Sequence, residues 1–139
     1  MGLDYGERRI GVAVCDRLEV AAHSLPTVQR DGAEMETLAA MIEQRGVEQV
    51  VVGLPLRTNG SHGPEAHRVR GFMKRLRAVV PDVEVVGMDE RFTTAQAQRA
   101  LSQMGATLRE RRRHVDAIAA QIILQSYLER RRREDRDED

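Results

Sequence analysis

Aromatic residues are scarce in this chain of 139 residues, with two Tyr, two Phe and no Trp. The core must therefore be aliphatic, and no aromatic platform for stacking single-stranded bases is in sight. A single cysteine, Cys15, excludes an internal disulfide framework and any cysteine-based metal site. No apolar run approaches the roughly 18 residues of a membrane span. No basic segment followed by an apolar stretch opens the chain, so no signal peptide is expected. A soluble cytoplasmic protein with no membrane partner is the expectation. No G-x-x-x-x-G-K-[ST] loop occurs, which excludes P-loop nucleotide chemistry. Lysine is almost missing as well: Lys74 stands alone among 22 basic residues. Genomic base composition would explain that bias, and the functional alternative is phosphate binding, which arginine's planar fork suits.

The formal charge is zero but unevenly placed. Residues 134–139 hold five acids and one arginine, and the remainder has 21 basic and 17 acidic residues, or +4. The length fits one domain, expected over residues 1–133, with 134–139 as an acidic, disordered tail. Leu3, Ile10–Cys15 and Val20–Val28 predict three strands in an antiparallel meander. Asp31 with Glu34 predicts a capping box for a helix carrying Met35, Leu38, Ala39 and Ile42 on one face and ending at Gly46. The apolar run from Val47 to Leu54 predicts a buried parallel strand. A polar loop follows, and Pro64 opens a helix with Val69, Phe72, Met73 and Leu76 inward. Val83–Met88 predicts another strand, Thr93 and Gln96 cap a short helix, and a last helix spans about Arg112 to Arg132. Its inward residues are expected to be Val115, Ile118, Ala119, Ile122 and Ile123. The order β-β-β-α-β-α-β-α-α predicts an α/β fold: a five-stranded mixed sheet flanked by helices, as in RNase H-like domains.

Three acids sit where elements end. Asp4 closes the first strand, Asp89-Glu90 the last, and Asp116 lies near the start of the final helix. Open α/β sheets bind ligands at the carboxyl ends of their strands. Carboxylates gathered there raise one another's pKa unless cations compensate. Mg²⁺ or Mn²⁺ would do so, and two ions about 3.5–4 Å apart can stabilise both the attacking and the leaving oxygen at phosphorus. An acid at a strand end is also commonly a solvated loop residue, and Asp at a helix start a favourable partner of the dipole. Of the adjacent Asp89 and Glu90 only one is expected to face the site, with Glu90 the first choice.

Four blocks then carry a family resemblance. Leu3-Asp-Tyr-Gly-Glu-Arg-Arg-Ile-Gly-Val-Ala-Val-Cys-Asp16, Val52-Gly-Leu-Pro-Leu-Arg-Thr-Asn-Gly-Ser61, Asp89-Glu-Arg-Phe-Thr-Thr-Ala95 and Val115-Asp-Ala-Ile-Ala-Ala-Gln-Ile-Ile-Leu-Gln-Ser-Tyr-Leu128 resemble, in order, the motifs of the YqgF/RuvX family. The resemblance covers nearly the whole chain. It implies an RNase H-like fold related to Holliday-junction resolvases, and a metal-dependent nuclease of small-subunit ribosomal RNA 5′ ends or of branched DNA. Asp4, Glu90 and Asp116 would be its catalytic, metal-binding acids. Two departures are a Cys15 where the family usually has Ser, and a first strand preceded by few residues.

Weaker signals surround the acids. Arg8, Arg9, Arg91, Arg111, Arg112 and Arg113 are expected to form a positive rim for nucleic acid, with Asn59 and Ser61 in a phosphate-binding loop. Arg68, Arg70, Lys74, Arg75 and Arg77 are the fallback basic face. His62 and His67, five apart, do not share a helical face, so no zinc site is expected; His114 reads as a surface residue. Asp4-Tyr-Gly6 also matches the opening hairpin of ATP-binding actin-like folds, but those need a second such turn. A catalytically silent nucleic-acid-binding module is the other alternative. RNA and DNA substrates are left open, and a symmetric junction would suit a homodimer.

Overall fold

The computed structural model describes residues 1–15, 21–90 and 115–138. Five strands form one sheet: β1 (Gly2–Tyr5), β2 (Arg9–Cys15), β3 (Ala22–Gln29), β4 (Gln49–Leu54) and β5 (Glu84–Asp89). Their spatial order is β3-β2-β1-β4-β5. The first three form the expected antiparallel meander, and β4 runs parallel to both β1 and β5. Helices α1 (Glu34–Arg45), α2 (Pro64–Val79) and α3 (Val115–Glu138) complete the described architecture. The short helix expected from the Thr93 cap to about Gly105 falls outside the described residues.

Each strand's alternation sorts its side chains between two faces. On one face Leu3, Ile10, Val12, Val28, Val50, Val52 and Val85 join Leu38 and Ile42 of α1 and Val69, Phe72, Met73 and Leu76 of α2 in the main core. On the other, Ala13, Ala22, Val51 and Met88 meet Ala120, Ile123, Leu124 and Leu128 of α3. β4 is buried on both faces from Val50 to Gly53, as its continuous apolar run requires. β1 is only four residues long yet central, held by the Met1 amino group on the Gln49 carbonyl and by Val51 N–H on the Met1 carbonyl. Pro26, which cannot donate to a ladder, is accommodated because β3 is an edge strand with an irregular register opposite Ile10–Val12.

Several local expectations need correction. The N-cap of α1 is Ala33, not Asp31. Asp31 instead accepts the Ala33 N–H at 2.9 Å, and Glu34 reaches back to the Gly32 N–H at 2.8 Å, so the two acids satisfy the donors one residue apart from a capping box. Gly46 ends α1 in the left-handed conformation (φ 62°), as expected. The sheet-facing stripe of α3 is Ala117, Ala120, Ile123, Leu124 and Leu128, whereas Ile118, Ala119 and Ile122 are only half-buried. Ala117 and Ala120 sit where the helix backbone itself comes closest to the sheet's glycines. A Cβ on Gly2 would stand 2.7 Å from the Leu124 Cβ, and one on Gly11 would collide with the Asp116 carbonyl. Finally, α3 does not stop near Arg132; it continues through residues 134–138, which were expected to be a disordered tail. Arg130 and Glu134 pair along this extension at 3.4 Å (i, i+4).

Candidate active site

Asp4 is the penultimate residue of β1 and lies opposite Gly11 of β2. Directly paired residues share a face, so Asp4 projects to the side of the sheet on which α3 packs. Gly11 leaves room there for the first turn of α3, and that contact delivers Asp116 beside Asp4. Glu90 follows the last residue of β5, and its Oε1 occupies the space above Gly53 of β4, 2.6 Å from where a Cβ would sit. Glycines 11 and 53 are thus not turn residues here. They are the vacancies into which the acid-bearing elements press.

Electrostatics tie the three acids together. Burial, and then the charge of Asp116, push the Asp4 carboxyl up to about 6. Burial, and then the charges of Asp4, Glu65 and Asp89, push the Glu90 carboxyl up to about 7. Asp4 is the shared neighbour, coupled to Asp116 in one direction and to Glu90 in the other. Asp116 is held by Arg9, whose Nε lies 3.3 Å from its Oδ2. Among the described residues no three His, Cys, Asp or Glu side chains are grouped as ligands of one ion. Asp4 stands between its two neighbours, acted on by Asp116 and acting on Glu90.

Asp4 and Glu90 line an open cleft of about 490 Å³, together with Tyr5, Glu7, Glu65, Arg30 and Arg68. Asp116 does not line it. Tyr5 stacks on Phe72 of α2, with ring centroids 4.3 Å apart, and its hydroxyl accepts a bond from Arg75 at 3.2 Å. The cleft thus has an acidic floor and cationic wall residues.

The residues named from sequence divide unevenly. Asp4, Glu90 and Asp116 are brought together. Arg9 comes too, but as the ion-pair partner of Asp116; Arg8 is exposed in the β1–β2 turn. Asn59 and Ser61 are absent from the cleft's walls and bond to each other, Asn59 Oδ1 accepting from the Ser61 N–H at 3.0 Å and its hydroxyl at 2.7 Å. That is ordinary turn chemistry. Arg91, Arg111, Arg112 and Arg113 lie outside the described residues. Arg30 and Glu65 were missed: an arginine after one strand and a glutamate in a helix's first turn carry no local signal of a shared cleft. Arg68, named only in the fallback face, belongs to the cleft itself.

The model of the RuvX family, described as Holliday junction resolvase, matches residues 1–130. The chain belongs to this family. Among curated relatives, one from Gloeobacter violaceus is 45% identical over 95% of this chain and 84% of its own length. One from Moorella thermoacetica is 44% identical, with 94% of each chain covered, and one from Syntrophus aciditrophicus is 43% identical over 93% of this chain and 87% of its own. All three bear the name "Putative pre-16S rRNA nuclease". Family and fold agree: this RuvX member is an RNase H-like α/β protein and a nuclease, an enzyme that hydrolyses phosphodiester bonds. No helix among the described residues is long and apolar enough to cross a membrane.

Proposed function

We propose that this RuvX member is a divalent-metal-dependent, cytoplasmic nuclease that cuts structured nucleic acid at the cleft of Asp4 and Glu90, with Asp116 as the third acid. The observation that carries the proposal is Asp4's position between two acids, from separate elements, that perturb it or are perturbed by it. Such a set is costly without a cation. Its donors fit Mg²⁺ or Mn²⁺, which need only one or two carboxylates and keep several waters. Asp4 and Glu90 would hold one ion, and Asp4 and Asp116 a second. When bound, such ions polarise the scissile phosphate and activate water as nucleophile.

The protein's own residues supply the rest. Glycines 11 and 53 let α3 and the end of β5 approach closely enough to fix the carboxylates. Arg9 holds Asp116 in place, and Arg30 and Arg68 offset the acids for an incoming polyanion. Arg8, Arg91, Arg111, Arg112 and Arg113 remain proposed as an outer rim for the phosphate backbone.

The relatives' names favour the 5′ end of precursor 16S ribosomal RNA as substrate. The family description favours four-way DNA junctions as the second reading, for which two active sites in a homodimer would suit a symmetric substrate. Side-by-side cleavage of a precursor ribosomal RNA fragment and a four-way junction, with Mg²⁺ or Mn²⁺ and an Asp4→Asn control, tests both. Cleavage of either by wild type alone is the expected result. Binding without metal-dependent cleavage would leave a silent binding module instead.

A further inference from the structure

We propose that Arg30 binds a substrate phosphate in the cleft, as a cation fixed in position before substrate arrives; this rests on the reading of the cleft as the nucleolytic site. Arg30 follows β3, and its backbone N–H donates to the Arg8 carbonyl at 2.9 Å. Its side chain crosses to the β1–β2 turn. There Nη1 donates to the carbonyls of Gly6 and Glu7, both at 2.9 Å, which uses both of its hydrogens. The guanidinium carbon stands 4.4 Å from the Tyr5 ring centroid. Phe72 lies 4.3 Å from the same centroid. Two groups that near one ring centre cannot share a face, so Tyr5 is sandwiched between Phe72 and Arg30.

These contacts leave one edge of the guanidinium. Among the described residues Nε and Nη2 have no hydrogen-bond acceptor, and no carboxylate forms an ion pair with Arg30. Side by side, Nε–H and Nη2–H match two oxygens of a phosphate. Arg30 shares the cleft with Asp4 and Glu90. The free end of such a long side chain ordinarily loses rotamer freedom when it binds. Here the Gly6 and Glu7 carbonyls and the Tyr5 ring have already removed that freedom, as preorganised binding requires.

The test measures binding in EDTA, where cleavage does not intervene, over a range of salt. The probes are a fluorescein-labelled four-way junction and a labelled precursor ribosomal RNA fragment. One phosphate contact contributes about 0.7–0.9 to the slope of log K against log salt. Arg30→Gln should lower the slope by about that amount and weaken binding roughly 5–10-fold at low salt, on the same counting. Arg30→Lys keeps the charge but not the fork, so it should keep the slope and lose a few-fold in affinity. A variant with a lowered melting temperature but wild-type slope and affinity would show a purely structural role and overturn the proposal. If circular dichroism shows Arg30→Gln unfolded, Arg30→Lys decides: weaker binding on an intact fold supports the proposal, and wild-type affinity overturns it. Wild-type protein that cleaves while Arg30→Gln binds equally well sinks the Arg30 assignment alone. Wild-type protein that neither binds the probes in EDTA nor cleaves them with Mg²⁺ or Mn²⁺ sinks it together with the reading of the cleft as the nucleolytic site.

Discussion

Replacing Asp4 by Asn should make the metal-free protein more stable while abolishing its cleavage. In the fold Asp4 holds its proton up to about pH 6, against an ordinary value of 3.8. An acid raised in this way binds its proton more tightly folded than unfolded. Its contribution is therefore most favourable below the unfolded value and is lost as pH rises through about 6. A rise of about two units corresponds to about 3 kcal/mol at about 1.36 kcal/mol per unit. Partial exposure of the site reduces this to about 1–3 kcal/mol. Asn resembles the protonated acid at every pH, so it escapes this loss. For a chain of this length, roughly 3–5 °C accompanies each kcal/mol. Asn should accordingly raise the melting temperature by roughly 3–15 °C at pH 8 in EDTA and by almost nothing at pH 4. Adding Mg²⁺ should stabilise wild type, by about 1.4 kcal/mol at ten times the dissociation constant, and Asp4→Asn much less. Calorimetry across pH, with and without metal, makes the measurement. A difference between the two proteins that does not change from pH 4 to pH 8, or an Asn variant less stable at pH 8, would refute the upward shift of the Asp4 carboxyl by burial and by Asp116.

Three other outcomes follow from the same geometry. Glu90→Gln should show a similar pH-dependent stabilisation in EDTA, with the wild-type loss extending through about pH 7 and a smaller size, because Glu90 is more exposed to solvent screening; melting curves between pH 5 and 8 test this. Gly11→Ala places a methyl on the Asp116 carbonyl, which α3 cannot relieve by a side-chain rotation; urea melts should show a loss of about 3 kcal/mol or more, with cleavage falling as Asp116 is displaced. Phe72→Ala removes a fully buried ring and one side of the Tyr5 stack; a loss of about 3–5 kcal/mol is expected, whereas Tyr5→Phe, which removes only an exposed hydroxyl contact to Arg75, should cost under about 1 kcal/mol.

Read alone, the sequence determined the order of elements, the meander followed by parallel strands, and three acids at element ends, because these follow from local periodicity and from turn and strand chemistry. The buried run of β4 and the α2 stripe of Val69, Phe72, Met73 and Leu76 were legible for that reason. The face of α3 was not. Its bulky Ile118 and Ile122 are more apolar than Ala117 and Ala120, yet the alanines go inward, because the helix backbone at Asp116–Ala117 and at Ala120 comes up against Gly11 and Gly2 of the sheet and so fixes which face turns inward. Nor could spacing say that Asp4 would stand between Asp116 and Glu90, since the three are brought together by strands and a helix far apart in the chain. The same holds for Arg30, whose guanidinium reaches back 24 residues to Gly6. Asn59 and Ser61, named from their loop, bond to each other within it, a contact that follows from the local turn. Local propensity names the groups that can do chemistry, and only tertiary packing decides which of them share a cleft.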